Sequence, residues 1–188
     1  MFIPFIGMVE TKIFFWVIGI IVIYCTTNAV NFTDGVDGLC ASVTSTAAIA
    51  FCIAALMTKF MGISVLAAAL AGGCLGYLIW NYYPSKVMMG DTGSMFLGGM
   101  VVALAYAIDC PIILVLFGII YVIEAMSDVL QIGYFKATHG KRIFKMAPIH
   151  HHFEMFGWKE RKIVTVFSLV NMLGCAIGLA IYYFGIAK

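Results

Sequence analysis

The chain alternates long apolar runs with short polar connections. Six of the runs approach the roughly 20 residues an α-helix needs to cross a bilayer. They cover residues 13–32, 39–57, 63–82, 95–108, 112–135 and 163–184. The fourth is short unless it takes in residues at both ends, and the fifth is long enough to tilt or bend. Pro111 between them leaves room only for a tight turn. The pattern predicts an all-α, polytopic integral membrane protein of about six transmembrane helices, with residues 1–188 forming one transmembrane helical domain. No repeat period or low-complexity tract interrupts it.

Composition agrees with the pattern. Hydrophobic residues make up 63% of the chain and charged residues 11%, and the mean hydropathy is +1.05. The charged surface of a soluble domain cannot be made from these residues, so the expected surroundings are a lipid bilayer. A net charge of +2 without a basic run gives no reason to expect a nucleic-acid partner. Residues 1–10 carry neither a basic n-region nor a small-residue cleavage site, so no signal peptide is expected. The six cysteines stand singly in apolar segments with no CxxC pair, which predicts reduced cysteines used for packing.

Lysine and arginine predict the orientation. Lys86, Lys136, Lys141, Arg142, Lys145, Lys159, Arg161 and Lys162 fall in one set of connections, against Lys12, Lys59 and Lys188 in the other. By the positive-inside rule the first set is cytoplasmic, and both termini face outward.

Three polar clusters share that cytoplasmic side. In the first, Asn28, Asn31, Asp34 and Asp37 recur every third residue, a spacing that keeps side chains on one drifting helix face. Gly35 and Gly38 break the helix, so Asp34 and Asp37 are expected in a turn leading into the second span. Helix capping accounts for one or two such groups but not for four. A carboxylate at mid-bilayer costs on the order of 3 kcal/mol, so its retention points to a ligand, an ion or a reaction.

In the second cluster Asp91 opens the fourth span between Gly90 and Gly93. There it is either an N-cap or a carboxylate holding Mg²⁺ shared with water and diphosphate oxygens, since free N–H groups at a helix start favour phosphate. Asp91-Thr92-Gly93-Ser94 also matches the aspartic protease signature, but that chemistry needs paired copies on β-lobes.

The third cluster, His150, His151 and His152 followed by Phe153-Glu154, lies in the longest polar connection. Transition-metal binding there lacks cysteines and has one local carboxylate. Donation to phosphate oxygens suits the same residues in a diphosphate site, with Lys141, Arg142 and Lys145 adding attraction. On the fifth span Glu124, Asp128 and Gln131 share one face. Glu124 should face the protein interior rather than lipid; the face either lines the site or pairs with neighbouring helices.

The run from Asn28 to Leu39, Met89-Gly90-Asp91-Thr92-Gly93-Ser94, and Pro148 to Glu154 together resemble the phospho-N-acetylmuramoyl-pentapeptide transferases (translocase I) of bacterial peptidoglycan synthesis. The resemblance runs through nearly all of the chain, and the triple histidine followed by Phe-Glu favours this family over its relatives that move N-acetylglucosamine-type sugars. It implies transfer of phospho-MurNAc-pentapeptide from its UDP carrier to undecaprenyl phosphate, giving lipid I and UMP, with Mg²⁺ as cofactor. The implied location is the bacterial plasma membrane, with the active site on the cytoplasmic side. Asp91 would be the Mg²⁺ ligand with Asn31 contributing near the metal. Asp34 and Asp37 would shape the nucleotide-sugar pocket, Asp37 facing the uracil. Asn81 and Gln131 would be polar wall residues beside Asn28, and the three histidines would contact the phosphate and sugar region. A homodimer is among the states the resemblance allows.

Two departures stand out. The family has ten membrane helices and this chain resembles the last six; the acidic Asp-Asp pair of the amino-terminal part has no counterpart in this sequence. Met88 stands where the family usually stacks a phenylalanine on uracil, leaving a weaker sulfur–π contact. The competing expectations are a polyprenyl-phosphate sugar-1-phosphate transferase for another UDP-sugar, and a non-catalytic half-protein. A secondary transporter would be expected to show an inverted repeat, and none is found.

Overall fold

The structure is a computed structural model that describes residues 1–186. It is a helical bundle. α1 (Phe14–Thr33), α2 (Leu39–Met57), α3 (Met61–Asn81) and α4 (Gly90–Ala107) come first. A 3₁₀ turn at Pro111–Ile113 leads into α5 (Leu114–Phe117) and α6 (Ile119–Ala137), and α7 (Ile149–Glu154) and α8 (Glu160–Ile186) complete it. In hydrocarbon a helix is the cheapest way to satisfy every backbone group of such apolar runs. α2 is the hub. Its small residues, Ala41, Ala47, Ala48, Ala54 and Ala55, are all 0% exposed, and α3 and α8 pack along it. α1 instead packs against α4 and α6 and buries only Ala29, Val30 and Thr33, leaving Trp16, Ile20 and Tyr24 facing outward.

Four helices, α1, α2, α3 and α8, are long and apolar enough to cross a membrane, and the bent pair formed by Pro111–Phe117 and Ile119–Ala137 makes up to five, against the six expected. α4 takes in Gly90 to Ser94, and these polar and small residues keep it off that count. The expected fifth span at 112–135 is bent by 84°. The break falls at Gly118. Backbone groups freed there are met from α8: Asn171 Nδ2 donates to the Phe117 carbonyl (3.0 Å), which Cys175 Sγ also approaches (3.5 Å), and reaches the Thr46 hydroxyl of α2 (2.7 Å). Asn171 Oδ1 accepts from the Ile120 N–H at 3.4 Å.

A two-stranded antiparallel ribbon, β1 (Phe2–Ile3) with β2 (Gly7–Met8), adds an element that the all-α expectation lacked. It sits at the far end of the bundle, where the Phe2 N–H donates to the Asp109 carbonyl at 2.8 Å and the Phe2 ring meets Tyr182 edge-on. All six cysteines are free, four of them buried as packing predicts and Cys25 exposed. Chain direction puts the site-bearing ends of α1, α3 and α6 beside the starts of α2, α4 and α8. Lys12 and Lys59 lie at the opposite end; Lys188 lies outside the described residues.

Candidate functional site

The turn between α1 and α2 is where Gly35 and Gly38 predict it. Gly38 has a φ of +80°, a left-handed conformation that glycine adopts without a Cβ penalty. Its N–H donates to Asn81 Oδ1 at 3.1 Å, and Asn81 Nδ2 donates to the Val87 carbonyl at 2.8 Å. Tyr77 Oη donates to the same carbonyl. Asp37 Oδ2 accepts from the Ser85 N–H at 2.9 Å, while the Asp37 N–H donates to Glu160 Oε2 at 3.3 Å. Arg161 donates to the Tyr83 carbonyl. The connection from α3 to α4 is thereby tied to the turn and to the start of α8. Met88 rides on that connection, 77% exposed.

The second part of the site joins α1 to α4. Asn31 Nδ2 donates to Asp91 Oδ1 at 3.1 Å and to Ser94 Oγ at 2.9 Å. Asp91 lies in the first turn of α4, and Met89, the capping residue, makes no side-chain cap bond. Capping is therefore not what Asp91 does. The Asp34 carboxyl is pushed up to about 6, first by burial and then by the negative charge of Asp91. Among the described residues neither carboxylate has a cationic partner. Two acids and an amide drawn together without a counter-charge suit Mg²⁺, which is held by one or two carboxylates and keeps its other positions for water and phosphate oxygens. Consistent with so open a site, no three His, Cys, Asp or Glu among the described residues converge as a closed metal cage. Asn28 stays apart, donating to the Tyr24 carbonyl of its own helix.

The histidines, expected in a loop, form the short helix α7 and divide between three environments. His150 is buried, with Nδ1 at 3.0 Å from Oε2 of the equally buried Glu124. Glu124 therefore faces the interior as expected. His151 Nδ1 bonds Glu154 on its own helix. His152 Nδ1 accepts from the Lys145 N–H at 3.0 Å and is flanked by Phe144 and Phe156. Gln131 braces the same connection, donating to the Phe144 carbonyl and accepting from the Ile143 and Phe144 N–H groups. Sequence reasoning gave no role to Glu160, Ser94 or Tyr77. Glu160 is legible in hindsight as the lone acid within Lys159 to Lys162.

An open apolar groove of about 550 Å³ runs between α1 and α6, lined among others by Ile21, Val22, Cys25, Tyr121, Val122 and Met126. It also reaches Ala29, next to Asn28 and two residues before Asn31.

Fold and site together define a multi-pass helical membrane protein whose acids and amides gather at the cationic end of the bundle. A family profile described as Glycosyl transferase family 4 matches residues 1–109, and the chain belongs to that family. It is 49% identical over 180 residues to a phospho-N-acetylmuramoyl-pentapeptide-transferase of Acetivibrio thermocellus, covering 94% of this chain and 54% of that protein. Proteins of the same name match from Clostridium botulinum (strain Eklund 17B), at 46% identity over 94% of this chain and 54% of the relative, and from Clostridium perfringens (strain 13), at 51% over 82% and 48%. The chain thus spans about half the length of the relatives it matches. The resemblance expected from the three motifs is borne out.

Proposed function

We propose that the chain carries the nucleotide-sugar and metal-binding part of a phosphoglycosyl transferase of the bacterial plasma membrane. The reaction is transfer of phospho-MurNAc-pentapeptide from UDP to undecaprenyl phosphate, giving lipid I and UMP on the cytoplasmic side. The observation that carries the reading is the union of Asn31, Asp34 and Asp91 at the uncapped start of α4. The names of the relatives support it.

Asp91 would hold Mg²⁺ with Asn31 beside it and Asp34 facing it; when bound, the ion neutralises charge on the diphosphate. The first-turn N–H groups of α4, the turn that holds Asp91, lack a side-chain cap and so favour phosphate oxygens. Asp37 holds the α3–α4 connection, with Met88, beside the nucleotide. The α1–α6 groove gives a polyprenyl chain an apolar path to the site, so that its phosphate reaches the diphosphate at the membrane edge.

The test is UMP release from UDP-MurNAc-pentapeptide and undecaprenyl phosphate with Mg²⁺, by the chain alone and with the amino-terminal half of a relative supplied in trans. Release in either format, abolished by chelation, is the expected result. Absence in both, with uridine nucleotide still bound, favours a non-catalytic half-protein. Release with UDP-GlcNAc in preference to the muramoyl substrate would move the chain to the related sugar-1-phosphate transferases.

Asp37→Ala is expected to weaken uridine nucleotide binding about tenfold, as for loss of a charged hydrogen bond. Ser85 would lose its acceptor and the connection bearing Met88 its hold on the turn. Unchanged affinity in a titration would remove Asp37 from the nucleotide pocket.

A further inference from the structure

Glu124 of α6 and His150 of α7 are both 0% exposed, yet each keeps one buried polar atom without a partner among the described residues, Glu124 Oε1 and His150 Nε2. The Nε2 atom is aimed at the turn between α1 and α2. A Cβ built on Gly35 would stand 2.3 Å from Nε2 and 2.7 Å from Cε1, closer than side-chain atoms ever pack. Gly35 is flanked by Asp34 and stands two residues before Asp37, so whatever fixes Gly35 fixes both acids.

Burial alone does not explain the pair. Two apolar side chains of similar size would fill the same space at little or no cost, whereas a buried carboxylate needs a partner to be tolerated. What the carboxylate adds is orientation. The hydrogen bond between Nδ1 and Glu124 Oε2 at 3.0 Å sets the ring plane and leaves Nε2 as the edge that meets the turn. We infer that Glu124 is a positioning residue acting through His150, whose ring is a strut from α6 that sets the Asp34–Asp37 turn against Gly35. This gives His150 a different task from the phosphate contact implied by the resemblance. The inference rests on the proposed reading only in taking that turn as part of a uridine nucleotide site.

The test is a double-mutant cycle read by binding of uridine diphosphate with Mg²⁺ to the full chain in detergent or nanodiscs. Gly35→Ala is expected to weaken binding about tenfold when His150 is present and less than about twofold in the His150→Ala background. An equal loss in both backgrounds overturns the strut. Glu124→Gln, which keeps an acceptor for Nδ1–H, is expected to stay within about threefold of the parent, and Glu124→Ala to lose about tenfold. Equal effects of the two substitutions overturn the role of Glu124.

A second readout needs no ligand. The chain has four histidines, so [¹⁵N]histidine labelling leaves few ring signals, and the one that His150→Ala removes, while the His151–Glu154 signal stays, is the His150 Nδ1–H resonance. It should persist in Glu124→Gln, vanish in Glu124→Ala and move in Gly35→Ala, which a residue that merely fills space would not produce. If the parent chain binds no uridine diphosphate, the nucleotide reading falls and the resonance decides: the same three responses support the strut, and insensitivity to either Glu124→Ala or Gly35→Ala overturns it.

Discussion

Asp91→Asn is expected to lower UMP release by a factor on the order of 10²–10³, the usual loss when a charge-stabilising group is removed from a transition state. The substitution is close to a pure test of charge. The asparagine keeps an oxygen to accept the Asn31 N–H now bonded at 3.1 Å. Asp91 does not cap α4, so the helix start loses no bond on exchange. Thermal unfolding should therefore match the parent while turnover collapses and the Mg²⁺ concentration needed for half-maximal rate rises. Asp34 should also ionise more readily once the negative charge of Asp91 is gone, though burial, the larger cause of its shift, stays in place. Turnover equal to the parent, in whichever assay format releases UMP, would remove Asp91 from the metal site.

The parts of this molecule that could be read from sequence are those where local chemistry alone decides. Apolar runs long enough to cross a bilayer have to be helical there. Gly35 and Gly38 can only mark a break in the run between α1 and α2, and Asp91 could be placed at the start of α4 because two glycines precede and follow it. Contacts that depend on partners far along the chain were hidden. The bend of 84° at Gly118 leaves no polar trace in an apolar run, and its support, Asn171, stands 54 residues from Phe117. Glu160 reads as one acid in a basic stretch until folding brings it to Asp37, 123 residues away. The three histidines look equivalent in sequence, and only their neighbours separate a buried ring against Glu124 from two rings tied into their own connection. The ribbon at Phe2–Met8 holds two residues per strand, too few for alternation to show, and is fixed by Asp109 at the far end of α4.

Asn171→Leu is expected to destabilise the bundle by roughly 1–3 kcal/mol, the cost of leaving one buried polar group, the Ile120 N–H, without a partner. Leucine keeps the branched shape but offers no acceptor to the Ile120 N–H, and it leaves the Phe117 carbonyl with only the weak Cys175 Sγ donor at 3.5 Å, while Thr46 Oγ1 keeps its bond to the Val43 carbonyl. The Phe117 carbonyl and the Ile120 N–H lack helical partners because the helix breaks at Gly118, so the loss falls on the bend itself. α6 leaves that bend carrying Glu124 in its second turn, and a change in its direction would move Glu124 off His150. Asn171→Leu should therefore lower the unfolding temperature in detergent and also weaken uridine nucleotide binding, although residue 171 contacts no part of the site. Asn171→Asp keeps the acceptor for Ile120 but loses the donors and buries a carboxylate with no cationic partner among the described residues, so it should destabilise at least as much as leucine. An unfolding temperature unchanged by the leucine would mean that water, not Asn171, satisfies the break, and would detach the bend from the placement of Glu124.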